Sequence, residues 1–175
     1  EGGITSVTYG YINGAGRYYR GADFQTGARF LSDNAGDFFV NLSIAYVDDE
    51  RRSDTPGDPY VTIMEQERRL RSRSYLSFSW TKNDWAAGVS TSRIGSMNFQ
   101  SPRWDGKPNT KIDPYYDIGA FVRYDIEDGH YIALSVSNLM DDIPKKNSDL
   151  GWPWFATYYY SPVGRELFLT YRYTF

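Results

Sequence analysis

The 175-residue sequence has no cysteine, one histidine and no long apolar run. Without cysteine the chain can form neither a disulfide framework nor a thiolate metal site. The absence of eighteen consecutive apolar residues excludes a membrane-spanning helix on ordinary criteria. A transmembrane β-barrel escapes that test, because each of its strands shows lipid only every second side chain.

The net charge is small, and residue types suited to catalysis are few. Lys and Arg are scattered and the net charge is −3, so nucleic acid is not a predicted partner. His130 lies in a predicted tight turn, without the residues of a Ser-His-Asp arrangement nearby. The acidic runs 48–50 and 141–142 lack the spacing of a calcium loop, and the glycines form no phosphate-cradling pattern. We therefore predict no enzymatic activity, no metal and no cofactor.

Aromatic residues are abundant, at 18% of the chain with sixteen Tyr. Tyr and Trp suit the boundary between water and lipid, because each combines a ring with a polar group. The opening E-G-G-I-T-S lacks the basic and apolar segments of a signal peptide. If the protein is exported, we expect its targeting segment upstream of Glu1.

The last ten residues, E-L-F-L-T-Y-R-Y-T-F, alternate between apolar and polar side chains. Side chains of a strand point alternately to its two faces, so this pattern predicts a strand. Ten residues is also the length with which a tilted strand crosses the hydrocarbon layer of a membrane. An edge strand of a soluble sandwich is the alternative. The apolar side comprises Leu167, Leu169, Tyr171, Tyr173 and Phe175.

Alternating segments also precede this strand, and together they predict an all-β, antiparallel up-and-down sheet of seven or eight strands. The count depends on whether residues 4–31 form one strand or two. The predicted connections alternate between short turns and long loops, which is the layout of outer-membrane barrels. The short turns are 32–37, 82–84 and 127–130, and the long polar loops are 48–67, 98–111 and 140–165.

The two faces of the predicted sheet differ in character. We expect the apolar face to contact lipid, through Val40, Leu42, Ile44, Leu76, Phe78, Ile118, Val122, Leu134, Leu169 and Tyr171. The other face carries Asp23, Arg29, Arg71, Arg73, Asp117, Arg123, Asp125 and Arg172. These charges would face water in a soluble sandwich, and would line a wet or plug-filled lumen in a large barrel. A closed eight-stranded barrel would have to pair them in its narrow interior.

Three motifs in order give the chain a family resemblance. Y-I-N-G-A-G-R-Y-Y-R-G-A-D-F at 11–24 is similar to a Y-x-N…G-x-E strand, with Asp23 in place of the more usual Glu. S-N-L-M-D-D at 137–142 is similar to N-L-F-D, with Met140 in place of the aromatic residue. G-R-E-L-F-L-T-Y-R-Y-T-F at 164–175 matches the family's ending. Together the motifs resemble the C-terminal portion of TonB-dependent outer-membrane receptors.

That resemblance implies a barrel of about twenty-two strands in the Gram-negative outer membrane, of which residues 1–175 would form the C-terminal part. The plug domain and the TonB-contacting box would lie outside the chain. The implied function is import of a siderophore, another chelate or an oligosaccharide, driven by the TonB complex. The implied signal for the barrel assembly machinery is Leu169, Tyr171, Tyr173 and Phe175. The alternative is a complete eight-stranded outer-membrane barrel with a structural or adhesive role.

The stretch G-W-P-W-F-A-T-Y-Y-Y at 151–160 is the strongest candidate for substrate contact. Aromatic rings stack on sugars and on aromatic chelators, and binding residues concentrate in loops. The alternative is that these rings pack against neighbouring loops or form an aromatic girdle. The candidate substrate contacts are Trp152, Trp154 and Phe155, with Trp104 from the preceding long loop.

Overall fold

The computed structural model describes residues 6, 16–64, 69–99, 110–144, 146, 152, 154, 155, 157 and 159–174. They form ten strands and one short 3-10 helix, at Glu127–Gly129. None of the helical structure described is long enough to cross a membrane. The strands are β1 Gly16–Phe30, β2 Asp37–Ser53, β3 Val61–Thr62, β4 Ser72–Lys82, β5 Trp85–Ile94, β6 Met97–Phe99, β7 Thr110–Ile112, β8 Tyr115–Ile126, β9 His130–Ser137 and β10 Glu166–Arg172.

The long strands form one antiparallel sheet in the order β1-β2-β4-β5-β8-β9-β10, with β3 paired to β2. Strands β6 and β7 form a separate hairpin. Each long strand pairs with its neighbours in the sequence, which confirms the predicted all-β up-and-down architecture. Among the described residues the sheet stays open, with β1 and β10 at its two edges.

Short and long connections alternate as predicted. Residues 31–36, the pair Asn83 and Asp84, and the 3-10 turn close one end of the sheet. Asn83 and Gly36 take positive φ angles of 50° and 88°, which Asn and Gly tolerate better than other residues. The long connections after β2, β5 and β9 all leave from the opposite end.

The sequence-based boundaries were wrong at several places. Strand β2 continues to Ser53, so the first residues of the predicted solvated loop 48–67 belong to the sheet. Cross-strand charge pairs hold this extension, because Glu50 pairs with Arg17 and the Asp48 carboxylate accepts a 2.7 Å hydrogen bond from Arg20 Nε. The predicted loop 98–111 contains part of the β6–β7 hairpin, and His130 begins β9. Whether residues 4–31 form one strand or two depends on positions outside the described residues.

The register aligns the apolar side chains in continuous rows across the sheet. One row crosses all seven long strands, through Phe30, Phe38, Trp80, Ala87, Val122, Leu134 and Leu169. None of the ten side chains predicted to contact lipid is buried, and Leu169 is 73% exposed. No described element of this chain packs over the apolar face. The buried apolar residues are few among those described, namely Ile63, Met64, Ala86, Met97 and Tyr160.

We predict that Gly36→Ala destabilises the protein more than Gly57→Ala. Both glycines have positive φ, 88° and 95°, so both substitutions add the strain of a left-handed residue, about 1–2 kcal/mol. A Cβ on Gly36 would also lie 2.4 Å from the Thr81 carbonyl oxygen, whereas at Gly57 it would meet nothing within 4 Å. Urea unfolding of the full-length protein should show a further loss of about 1–3 kcal/mol for Gly36→Ala. Equal losses would contradict this packing.

Candidate functional site

The face opposite the apolar one, here called the polar face, collects the predicted charged residues. Arg71 precedes β4, and its carbonyl accepts a 2.8 Å hydrogen bond from the Val47 N–H. The register places polar side chains in rows, one of which contains Gln25, Ser43, Tyr75, Ser92 and Asp117. Of the predicted charged residues, those that alternate onto the polar face within strands are Asp23, Arg29, Arg73, Asp117, Arg123, Asp125 and Arg172.

Some of these charges pair within the sheet. Arg29 lies 3.0 Å from the Asp37 carboxylate, and its guanidinium carbon is 4.9 Å from the centre of the Phe39 ring. Arg123 lies 2.8 Å from Asp125, and its guanidinium carbon is 5.3 Å from the Tyr131 ring. These two pairs lie toward the turn end of the face, where each guanidinium is neutralised by a neighbouring carboxylate.

The charges at the other end of the polar face are differently arranged. A groove of about 500 Å³ opens there, and we call it the polar groove. Neither Arg73 nor Glu166 forms an ion pair or hydrogen bond among the described residues, although both line this groove. Its walls combine carboxylate, guanidinium, hydroxyl and aromatic groups. The lining includes Arg73, Tyr75, Ser92, Tyr115, Asp117, Ser137, Tyr159, Ser161 and Glu166.

The last long loop packs against the polar face beside this groove. The buried side chains of Met97 and Tyr160 are at the centre of the contact, and the Tyr160 ring lies 5.2 Å from the Tyr115 ring at 75°. Burial raises the pKa of the Tyr160 phenol, and Tyr159 and Tyr115 raise it further. Tyr160 is therefore neutral at physiological pH. Partly buried side chains around it are Leu70, Ile94, Ile112, Tyr115, Phe155 and Tyr159.

Asn138, within the motif at 137–142, fastens this loop to the sheet. Its Nδ2 donates to the carbonyl oxygens of Asp142 (2.8 Å) and Val163 (3.4 Å), and its Oδ1 accepts the Asp142 N–H at 3.0 Å. Its backbone N–H donates to the Asp117 carboxylate at 3.1 Å. Asn138 is 5% exposed, so these bonds form largely out of contact with water. The motif thus joins β8, the end of β9 and the chain entering β10.

The structure separates the four aromatic candidates for substrate contact. Trp152 is 81% exposed, and Trp154 is 44% exposed with Lys146 Nζ 6.0 Å from the centre of its ring. Phe155 instead packs against the cluster around Met97 and Tyr160. Trp104 lies outside the described residues.

The four residues of the predicted assembly signal lie in and after the last strand. Leu169 and Tyr171 are exposed on the apolar face of β10. Tyr173 follows β10, and its ring centre is 4.3 Å from that of His130. Phe175 lies outside the described residues.

The tyrosines of the polar groove were not among the predicted site residues. Tyr75 alternates with Arg73 and Ser77 on the polar face of β4, and this large ring in an otherwise charged or small series was the available signal. Tyr115 joins it only because the register sets β8 beside β5. Comparison with family models, curated proteins and solved structures gave no match.

We predict that Asn138→Ala destabilises the protein by about 2–3 kcal/mol more than Asn83→Ala. Both residues have φ near 50°, so both substitutions carry the same left-handed strain. Only Asn138 loses side-chain bonds to buried backbone groups, which become unsatisfied. Urea unfolding of the full-length protein measures the difference. Similar values for the two variants would show that the Asn138 bonds contribute nothing to stability.

Proposed function

We propose that this chain is a C-terminal barrel segment of a TonB-dependent receptor in the Gram-negative outer membrane. The observation that carries the proposal is the apolar face, which runs unburied across seven strands. In water such a face would need a covering layer of helices or a second sheet. In a membrane barrel the hydrocarbon covers it, while the polar face lines the lumen.

The slant of the apolar band supports the same conclusion. On β10 its described positions are 167–173, whereas on β1 they are 22–30. Followed through the register, the centre of the band shifts by about five residues, or about 17 Å, across six strand spacings of about 4.8 Å. If the band lies parallel to the membrane plane, that shift corresponds to strands tilted by about 30° from the membrane normal. Strands of outer-membrane barrels tilt by a similar amount, about 35–45°.

The open edges favour a segment of a larger barrel over a complete small one. Unpaired backbone groups in hydrocarbon cost several kcal/mol each, so β1 and β10 both need partner strands. Neighbouring barrel strands would supply those partners. On this proposal the chain also depends on the plug domain, the TonB complex and the assembly machinery that reads the last strand. Transport is then conformational, with no covalent step.

The polar groove favours a polyhydroxylated substrate, such as a neutral oligosaccharide, over an anionic chelate. Its charged lining, in the part of the chain that the structure describes, consists of Arg73, Asp117 and Glu166, so carboxylates outnumber guanidiniums there. Such a balance repels anions, while its donors and acceptors suit vicinal hydroxyls. Tyr75 is 43% exposed and offers a ring on which a sugar can stack.

A charge on the apolar face should reduce insertion of the full-length receptor. We expect Leu134→Arg to lower the free energy of unfolding in lipid by about 2–4 kcal/mol, the cost of Arg near the bilayer midplane. Ser135→Arg is the matched control, because the adjacent residue faces the polar side. Heat-resistant folded protein in the outer membrane is the readout. A larger loss for Ser135→Arg would mean that the two faces are assigned the wrong way round.

The substrate assignment is tested with purified full-length receptor, neutral oligosaccharides of four to eight sugars and a ferric trihydroxamate chelate. Tryptophan fluorescence should report binding of an oligosaccharide and none of the chelate. Tyr75→Ala should weaken that binding about fivefold, which corresponds to about 1 kcal/mol. Tyr131→Ala, on the same face but absent from the groove lining, should leave it unchanged. Chelate binding that depends on Tyr75 would exclude the oligosaccharide.

A further inference from the structure

The apolar face changes character at the far end of the β1–β2 hairpin. Along β1, Phe24 and Ala22 are followed on the same side by Arg20 and then Tyr18, because side chains alternate along a strand. The register shifts between Arg20 and Gly21, but the extra residue, Asp48, lies on β2, so the alternation along β1 continues. The register pairs Tyr18 with Arg51 of β2. Arg20 therefore lies about 7 Å beyond Ala22 along the strand, on the same side as the apolar band.

A groove of about 550 Å³, here called the arginine groove, lies at this position. Among the residues that the structure describes, its lining is cationic and phenolic, and consists of Arg17, Tyr18, Arg20, Arg51 and Tyr60. The guanidinium carbon of Arg51 is 5.8 Å from the centre of the Tyr18 ring. Tyr60 reaches over Gly16, where a Cβ would collide with its hydroxyl. Five side chains from two strands and a loop thus form one surface.

The carboxylates that pair with these arginines are mostly recessed. The side chains of Glu50 and Asp49, which pair with Arg17 and Arg51, are 5% and 12% exposed. The three arginine side chains are 51–60% exposed, and only Asp48, the partner of Arg20, is comparably open at 48%. Each guanidinium has five N–H donors, so a single carboxylate partner leaves several of them for a ligand.

We propose that the arginine groove binds the phosphate-bearing headgroup of an anionic lipid in the outer leaflet. This inference rests on the proposed membrane location. Of the residues that line the groove, Tyr18, Arg20 and Arg51 continue the lipid-facing side just beyond the apolar band, at the long-loop end, which is where headgroups lie. Guanidinium groups bind phosphate oxygens in bidentate geometry. Tyrosines favour the same interfacial depth, because the ring faces lipid and the hydroxyl faces water.

The test uses the full-length receptor, first in liposome flotation and then in native mass spectrometry. The probe is phosphatidylglycerol at one fifth of a phosphatidylcholine membrane, with inorganic phosphate as the soluble competitor. Wild-type protein should retain phosphatidylglycerol at least fivefold over its share in the membrane. Arg20→Gln with Arg51→Gln should abolish that enrichment. Arg29→Gln with Arg123→Gln, on the polar face, should preserve it.

A second variant distinguishes loss of lipid binding from loss of folding. Arg20→Lys with Arg51→Lys keeps the partners of Asp48 and Asp49 charged but removes the bidentate geometry, so the enrichment should fall about two- to threefold. The proposed site would be refuted if phosphatidylglycerol enrichment were unchanged in both the Gln and the Lys variants of Arg20 and Arg51. It would also be refuted if the Arg29 and Arg123 control lost the enrichment to the same extent. Displacement of the lipid by millimolar inorganic phosphate would assign the groove to a soluble anion instead. A receptor that fails to float with liposomes would refute the membrane proposal itself, which is a separate result.

Discussion

The antiparallel hydrogen-bond ladder is the constraint on which the rest of the structure depends. It sets the pairing of seven strands, so one row of apolar side chains runs from Phe30 on β1 to Leu169 on β10. Slipping any strand by one residue would carry its apolar set to the polar face. The ladder thus creates one continuous apolar surface, and that surface determines which surroundings the sheet can tolerate.

The polar face divides into a neutralised part and an open part. Near the turns, Arg29 pairs with Asp37 and Arg123 pairs with Asp125, so these charges are neutralised within the sheet. Near the long loops, Arg73 and Glu166 have no such partners among the described residues. The loop packed around Tyr160 and fastened by Asn138 shapes that end into a groove. Rigid attachment and unsatisfied polar groups together are what a binding site requires.

The β1–β2 hairpin shows how charge can extend a sheet. Its outer part contains Arg17, Arg20, Asp48 and Glu50, residue types that ordinarily predict a solvated loop. Cross-strand pairing makes the extended backbone compatible with those side chains. The carboxylates of Asp49 and Glu50 are recessed, whereas the guanidiniums of Arg17 and Arg51 are exposed. This part of the hairpin is nearly neutral in net charge, yet its surface is cationic. A net charge computed from the sequence cannot reveal that difference.

The sequence by itself determined the strands, their antiparallel order and the division into two faces, because a period of two is local information. Leu134 shows this, because the alternation placed it on the apolar face and the register sets it between Val122 and Leu169. The tertiary structure alone decided what depends on register and loop packing. Tyr75 and Tyr115 are forty residues apart in the sequence, and they line one groove because β5 pairs with both β4 and β8. Phe155 was predicted to contact substrate, but its side chain packs against Met97 and Tyr160. These arrangements depend on the pairing and packing of residues that are distant in the sequence, which local periodicity does not predict.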